Sequence, residues 1–376
     1  MLAAALQGCS GGGSDGATGG AALLAGAPAC AFTRVATSAR DAQFSEVAAL
    51  TTDSRGRIYV GDLSRAEVSV LAEDGSLLRT LGRSGEGPGE FKWINNVQIL
   101  PGDSLLVYDR GLGRITVFAP GSDTVAYTTD LAAASRLLPP ASVVRLAGRQ
   151  GYVGTVIEPF RASGDDPRRD YEREQVVRLL DLDGSVTRDS VLVLRAGQNI
   201  LTARTGRSVT AMPNPFGRPG EVEVGPGGRL YYGWGDSLSI SIYSSGGQRT
   251  GGFSLPYERP PVTDEDIRGT FASESEARQF DPAVRSFVHR YASGTWPAFR
   301  TFSVDDRGRI WIGLLAPAGE PTKWTAFDGE GTPVCSAALP ANTTIHAVRG
   351  DRAYSVATDE MDVPRVVVHR IEEPTA

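Results

Sequence analysis

Gly308-Arg309-Ile310-Trp311-Ile312, late in the chain, repeats a phrase met near its start as Gly56-Arg57-Ile58-Tyr59-Val60. Four looser copies complete the set: Asp103-Ser104-Leu105-Leu106-Val107, Gln150-Gly151-Tyr152-Val153-Gly154, Gly228-Arg229-Leu230-Tyr231-Tyr232 and Asp351-Arg352-Ala353-Tyr354-Ser355. Each joins a short turn to a run of aromatic, β-branched or bulky apolar residues, the composition of a strand entered from a tight bend. A short alternating run precedes the phrase, as in Val47 to Thr52, Val97 to Leu100, Val222 to Val224 and Phe302 to Val304. A third run follows and ends in turn residues: Val68 to Leu71 before Asp74-Gly75, Ile240 to Tyr243 before Gly246-Gly247, Trp324 to Phe327 before Asp328-Gly329. Asp-Gly and Gly-Gly accept the positive φ that tight hairpins need. A fourth run then appears, such as Leu77 to Leu81 or Val334 to Leu339.

The runs alternate with a period of two, so a helical solenoid is excluded. Four antiparallel strands per unit, six units and roughly 40–50 residues per unit describe a propeller. The last unit offers only three runs, Thr344 to Val348, Tyr354 to Ala357 and Arg365 to Ile371. The missing strand is available in Ala31 to Thr37, just before the first unit. The expected fold is therefore all-β, a six-bladed β-propeller over residues 30–373 with the N-terminal strand completing the last blade.

Glu46 to Leu81, with the connector Gly82-Arg83-Ser84-Gly85-Glu86-Gly87-Pro88-Gly89-Glu90-Phe91, resembles an NHL-type repeat. Trp311 through Phe327-Asp328 to Leu339-Pro340, and on to Val366-Val367-Val368, is similar to bacterial six-bladed propellers related to NHL and TolB-like domains. The resemblance covers roughly residues 31–372. It implies exported, often lipid-anchored proteins, mostly without an assigned activity. Gly85 to Gly89 reads as an inter-blade connector, because no helix follows it and Pro88 removes a donor that a phosphate cradle would use.

Residues 1–29 read as targeting and tether. An apolar stretch, Met1 to Leu6, leads to Leu6-Gln7-Gly8-Cys9, which resembles a lipobox with Cys9 as the lipid attachment site, although Gln7 and the missing charged n-region depart from that pattern. A Gly/Ser/Ala-rich tether follows to about Pro28. No later stretch approaches the ~18–20 apolar residues that cross a bilayer, so the expected place is the cell envelope, lipid-anchored or periplasmic to extracellular, with the membrane touched by the anchor only. Cys30 and Cys335 remain as an even pair that an oxidising compartment would allow to bond, the alternative being two buried thiols. The net charge of -6 without a long basic run argues against nucleic acid. A monomer is expected.

Two segments break the rhythm. Glu158 to Glu174 is charged and reads as a solvated loop of blade three. The segment 260–298, between blades four and five, reads as a small helical insertion: an N-cap and acidic first turn at Thr263-Asp264-Glu265-Asp266, then short helices over Ala272 to Phe280 and Pro282 to Tyr291. It is expected to pack on one face of the disc, with a mobile lid as the alternative.

Candidate chemistry is sparse. Second strands end in or near Asp62, Asp109, Glu158, Asp236 and Asp359, a ring that either holds a cation or basic peptide, or binds turn amides and arginines such as Arg65 and Arg114. Glu46, Asn95, Asn96, Asp109, Arg300 and His346 are candidate ligand-binding residues at the channel mouth. No catalytic set and no histidine-rich metal motif stands out, so a binding or scaffold module for a protein, peptide or glycan, with no cofactor, is the expected function. The rival is a lactonase-like hydrolase or lyase with a divalent cation such as calcium in a Glu/Asn/Asp pocket.

Overall fold

The computed structural model describes residues 26–131, 140–146, 151–157, 173–198, 200–205, 208–315, 320–361 and 363–374. Cys9, Glu158 and most of the charged loop after it lie outside the described residues. The chain is a six-bladed β-propeller. Blade 1 holds β2 (Val47–Thr52), β3 (Ile58–Asp62), β4 (Glu67–Leu71) and β5 (Leu77–Leu81); blade 2 holds β6 (Ile94–Ile99), β7 (Leu105–Asp109), β8 (Arg114–Phe118) and β9 (Val125–Asp130). Blade 3 is β10 (Ser142–Arg145), β11 (Tyr152–Ile157), β12 (Glu174–Leu180) and β13 (Val186–Arg195). Blade 4 is β16 (Gly220–Val224), β17 (Leu230–Trp234), β18 (Leu238–Tyr243) and β19 (Arg249–Leu255). Blade 5 is β20 (Phe299–Val304), β21 (Ile310–Leu314), β22 (Thr322–Phe327) and β23 (Pro333–Leu339).

Blade 6 closes the ring. Its sheet runs β24 (Thr343–Arg349), β25 (Arg352–Thr358), β26 (Pro364–Glu372) and then β1 (Ala31–Thr37), with Ala31 opposite Glu372 and Thr37 opposite Val367. The N-terminal strand thus occupies the outer place that the C-terminus leaves open, and covers what would be an unpaired edge. Gly75 fixes its landing point on blade 1. The Ala39 amide donates to the Gly75 carbonyl at 2.9 Å, and a Cβ on Gly75, whose φ is 87°, would meet the Thr37 carbonyl oxygen at 2.4 Å. Only glycine satisfies both demands. Cys30, one residue before β1, is joined by a disulfide to Cys335 on β23, their Cα atoms 5.6 Å apart. Blade 5 is thereby bonded to the strand that closes blade 6.

The repeated phrase marks the second strand of each blade, and its two-sided apolarity has a reason. β3, β7 and β21 are buried at every position, because each lies mid-sheet with a neighbouring blade against either face. Six apolar clusters fill the six interfaces. Tyr59, Val70 and Leu81 meet Ile94, Val97 and Phe118 between blades 1 and 2, and Leu50 and Val60 meet Tyr354 and Val368 where the ring closes. Blades 1 and 5 share a further device. Asp53 accepts from the Arg55 and Arg57 amides, from Arg57 Nε at 2.6 Å and from the Tyr59 hydroxyl. Asp305 does the same for Arg307, Arg309 and the Trp311 indole. Blade 4 has Gly225 at this place, and among the described residues the buried Tyr231 hydroxyl has no partner.

The insertion differs from its sequence reading. The first helix, α1 (Asp264–Gly269), starts at Thr263 with a reciprocal capping box to Asp266. The two helices expected after it are one, α2 (Glu274–Arg290), running through Pro282. Pro282 is exposed, and the carbonyl it leaves without an amide partner belongs to exposed Arg278, so water can satisfy it. A hairpin that the sequence reading did not assign, β14 (Ile200–Thr205) with β15 (Ser208–Pro213), precedes blade 4 and packs on these helices. Leu201, Met212, Phe216, Ile267, Phe280, Val284 and Phe287 form their common core. The hairpin and helices make one cap, with its own apolar centre, from insertions on either side of blade 4.

Candidate functional site

Inner strands of a propeller line its channel, and every second residue of such a strand faces inward. In β16 the sequence Gly220-Glu221-Val222-Glu223-Val224 therefore aims two carboxyl groups at the channel. Burial among the blades pushes Glu221 up to about 7, only partly offset by hydrogen bonds from the Thr301 hydroxyl and the Phe302 amide. Burial and the neighbouring Glu221 push Glu223 up to about 8. His346, on β24, is drawn down to about 4 by desolvation. The channel thus holds a neutral imidazole and two carboxyl groups raised well above the ordinary carboxylate range, Glu223 being the one exposed to the open channel.

Three adjoining cavities use these residues. A lower channel cavity of about 590 Å³ is lined by Asn95, Glu223, Ser303 and His346, among others. An upper one of about 360 Å³ is lined by Ser142, Gln175, Glu221, Glu223, Thr301 and His346. The third, about 470 Å³, lies between cap and ring, with Met212, Pro213, Pro215, Pro219, Glu221 and Arg300 on its walls. Glu221 lines the last two, so the cap cavity and the channel adjoin at that side chain.

The cap is pinned beside this opening by Arg218, 1% exposed at its side chain. Its guanidinium donates to Asp236 Oδ1 at 3.0 Å, to the Ala292 carbonyl at 2.7 Å and to Thr295 Oγ1 at 3.1 Å. Desolvation, with Arg259 adding to it, lowers its pKa to about 10. Arg259 shares the same aspartate.

The candidates named from sequence separate into three groups. Asn95 and His346 line the channel, and Arg300 lines the cap cavity. Asn96 touches the channel, but its amide is engaged in donating to the Val143 carbonyl at 2.9 Å, tying blade 2 to blade 3. Glu46 and Asp109 do not join them. Glu46 is exposed, accepts from Ser64 Oγ at 3.0 Å and lines none of the three cavities. Asp109 is fully buried and accepts from the Lys92, Trp93 and Leu112 amides.

Of the other described acids of the supposed ring, Asp62 and Asp359 behave as Asp109 does, while Asp236 pairs with Arg218 and Arg259. Asp62 accepts from the Ser45, Glu46 and Arg65 amides, and Asp359 from the Met361 and Val363 amides and from Arg365. Arg114 takes no part; its guanidinium donates to the Glu86, Gly87 and Glu90 carbonyls and holds the glycine-rich connector in place. Among the described residues, no three His, Cys, Asp or Glu side chains lie where they could hold a metal ion together. Glu221 and Glu223 were the residues missed. Their signal was in plain view: charges at alternate positions of an inner strand have only the channel to enter.

A family model described as a 6-bladed beta-propeller (DUF5128) matches residues 39–135. No curated protein sequence matches the chain. Among solved structures, the chain is similar to a Bacteroides fragilis protein named as an exported one, at 10% identity and a TM-score of 0.51, over 92% of this chain and 95% of that one. It is similar also to a member of the duf4221 family from Bacteroides vulgatus, at 9% identity and a TM-score of 0.54, over 92% and 99%. At such identities the likeness is one of fold. No described helix is long and apolar enough to cross a membrane.

Proposed function

We propose that this protein is an exported, envelope-associated binding module that takes part of a glycan, peptide or protein partner into the cap-covered mouth of its channel. The observation that carries this reading is the roofed cavity of about 470 Å³ that meets the channel at Glu221. A concave, partly apolar site with a few convergent polar groups is the usual form of a ligand pocket. Glu221, Glu223 and Asn95 offer both donors and acceptors, which suits hydroxyl and amide groups on the ligand. The bond between Cys30 and Cys335 supports an oxidising compartment, and a lipid at Cys9 would hold the ring at a membrane surface without spanning it.

The test is a thermal-shift and calorimetric screen of oligosaccharides and short peptides. Ala272 is exposed and lines the cap cavity, so Ala272→Trp fills the opening without disturbing a core. Hits should lose at least about tenfold in affinity in that variant, a loss of about 1.4 kcal/mol. Ligands that bind equally well with the opening filled would refute this location.

A second reading is favoured by one observation. Carboxyl groups titrating near 7 and 8 suit general acid–base chemistry, so a hydrolase or lyase acting through Glu221 and Glu223 follows from the same site. Mass spectrometry of bound ligands after prolonged incubation separates the two: turnover lost in Glu223→Gln, with binding kept, would establish the enzyme.

A further inference from the structure

We propose that the cap cavity recognises a carboxylate through Arg300, and that its ligand is an organic acid, or an acid-ended chain, with an apolar body. This deepens the binding reading above and rests on it. Arg300 is the second residue of β20, where the inner strand of blade 5 leaves the cap and enters the channel wall. Its guanidinium lies 5.5 Å from the centre of the Trp296 ring, so one flat face is covered while the edge carrying the N–H groups remains available.

Among the described residues no carboxylate is paired with Arg300, although Arg218 and Arg259, also at blade 4 and the cap, share Asp236. The side chain is exposed into the open cavity, and desolvation by the surrounding walls lowers its pKa. A guanidinium on a concave wall without a counter-ion leaves its N–H fork free to make charge-assisted hydrogen bonds to an incoming anion.

The acids on the same walls do not supply it. Glu276 accepts from the Ala272 amide at 2.8 Å, at the start of α2. Glu221 retains its proton up to about 7, and its hydrogen bonds go to Thr301 and Phe302. One unmatched guanidinium fits one negative charge, and its planar fork matches a carboxylate better than a tetrahedral dianion that would call for further cations. Met212, Pro213, Pro215 and Pro219 give the rest of the wall an apolar character. A cavity of about 470 Å³ falls in the range that encloses a small organic molecule.

The experiment titrates the full chain, disulfide intact, with 4-phenylbutanoate and with its uncharged amide, following heat and Trp296 emission, and extends the acids from hexanoate to 4-phenylbutanoate. The acid should bind about 30-fold more tightly than the amide, about 2 kcal/mol at 1.4 kcal/mol per factor of ten. Arg300→Met should abolish that preference, and Arg300→Lys should restore part of it, since an ammonium supplies the charge without the fork. Equal binding of acid and amide, unchanged acid affinity in Arg300→Met, or no binding by any acid of the series would each overturn the proposal. If Arg300→Met does not fold, the acid–amide comparison on the unaltered protein decides alone. The broader binding reading has its own arbiter: uncharged ligands that respond to Ala272→Trp but not to Arg300→Met would preserve it while the carboxylate is lost.

Discussion

Reducing the bond between Cys30 and Cys335 should loosen the ring at one seam, and the structure allows the effect to be sized. The two cysteines are 305 residues apart, so the bond closes nearly the whole propeller into a covalent circle. The chain-entropy relation for a loop of that length gives a ceiling of about 5.7 kcal/mol at 25 °C. The realised value should be smaller, about 3–5 kcal/mol, because an unfolded chain is more compact than an ideal coil and measured disulfides fall short of the relation. An unfolding entropy of ~2.1 cal/mol/K per residue over about 345 residues converts 4 kcal/mol into a fall in Tm of about 5–6 °C. Calorimetry of the oxidised and reduced protein, with Cys30→Ser/Cys335→Ser as the permanent form of the reduced state, measures it directly. Hydrogen exchange should rise first in β1 and β26, since their pairing is what the bond tethers. A reduced protein melting within 1 °C of the oxidised one, taken as about the resolution of the measurement, would refute the idea that the bond clamps closure.

Two further outcomes follow from the same description. Asp305→Ala should destabilise by about 3–5 kcal/mol in urea, because it strips a buried acceptor from Arg309 and leaves the Trp311 indole unpaired, whereas Asp306→Ala in the same turn, exposed, should cost under about 1 kcal/mol; similar costs for both would remove the buried aspartate from the list of what builds the blade. Glu221 and Glu223 keep their protons to about 7 and 8 when folded, against 4.5 for an unperturbed glutamate, so the folded state binds more protons than the unfolded one across that window and stability must fall as pH rises through it. His346, lowered from 6.5 to about 4, acts with the opposite sign, raising stability from pH 4 to 6.5, so melts from pH 6.5 to 8.5 isolate the carboxyl groups. The decline should flatten in Glu221→Gln and Glu223→Gln; a flat profile in the unaltered protein would mean that channel water solvates both side chains.

Much of the fold was legible because its determinants are local and repeated. Asp74-Gly75 writes its own hairpin, as does the turn after Asp328, although there the positive φ falls on Gly331 and not on Gly329, and mid-sheet strands such as Ile310 to Leu314 must be apolar on both faces whichever blade they occupy. Ala31 to Thr37 could be assigned to the last blade because a count of strands left one place empty. The β14–β15 hairpin went unassigned because Ile200 to Pro213 carries no copy of the repeat, although Gly206-Arg207 offers a two-residue turn, and its apolar residues, Leu201 and Met212, face helices more than 50 positions away. The joined helix α2 was obscured by Pro282, whose usual penalty is relieved by exposure that a sequence does not display. Asp109 and Glu46 were misplaced for a related reason: an acid at a strand end reads alike whether it faces a ligand or the amides of the next connector.

What identifies the site is departure from sixfold regularity. A ring of similar blades lines its channel with similar positions, and a recurring feature, such as the buried Asp62 and Asp109 closing the second strands of blades 1 and 2, serves the blade itself. Blade 4 differs in two respects at once: it aims Glu221 and Glu223 from its inner strand into the channel, and both insertions of the cap leave the ring beside it. Each departure alone is tolerable drift. Together they place Glu221, the pinning Arg218 and, from neighbouring blade 5, Arg300 around the cap cavity, with Glu223 on the channel wall beside it. The proposed ligand site predicts that stabilisation by ligand and sensitivity to Ala272→Trp will map to blade 4 and its neighbour, not to the opposite side of the ring.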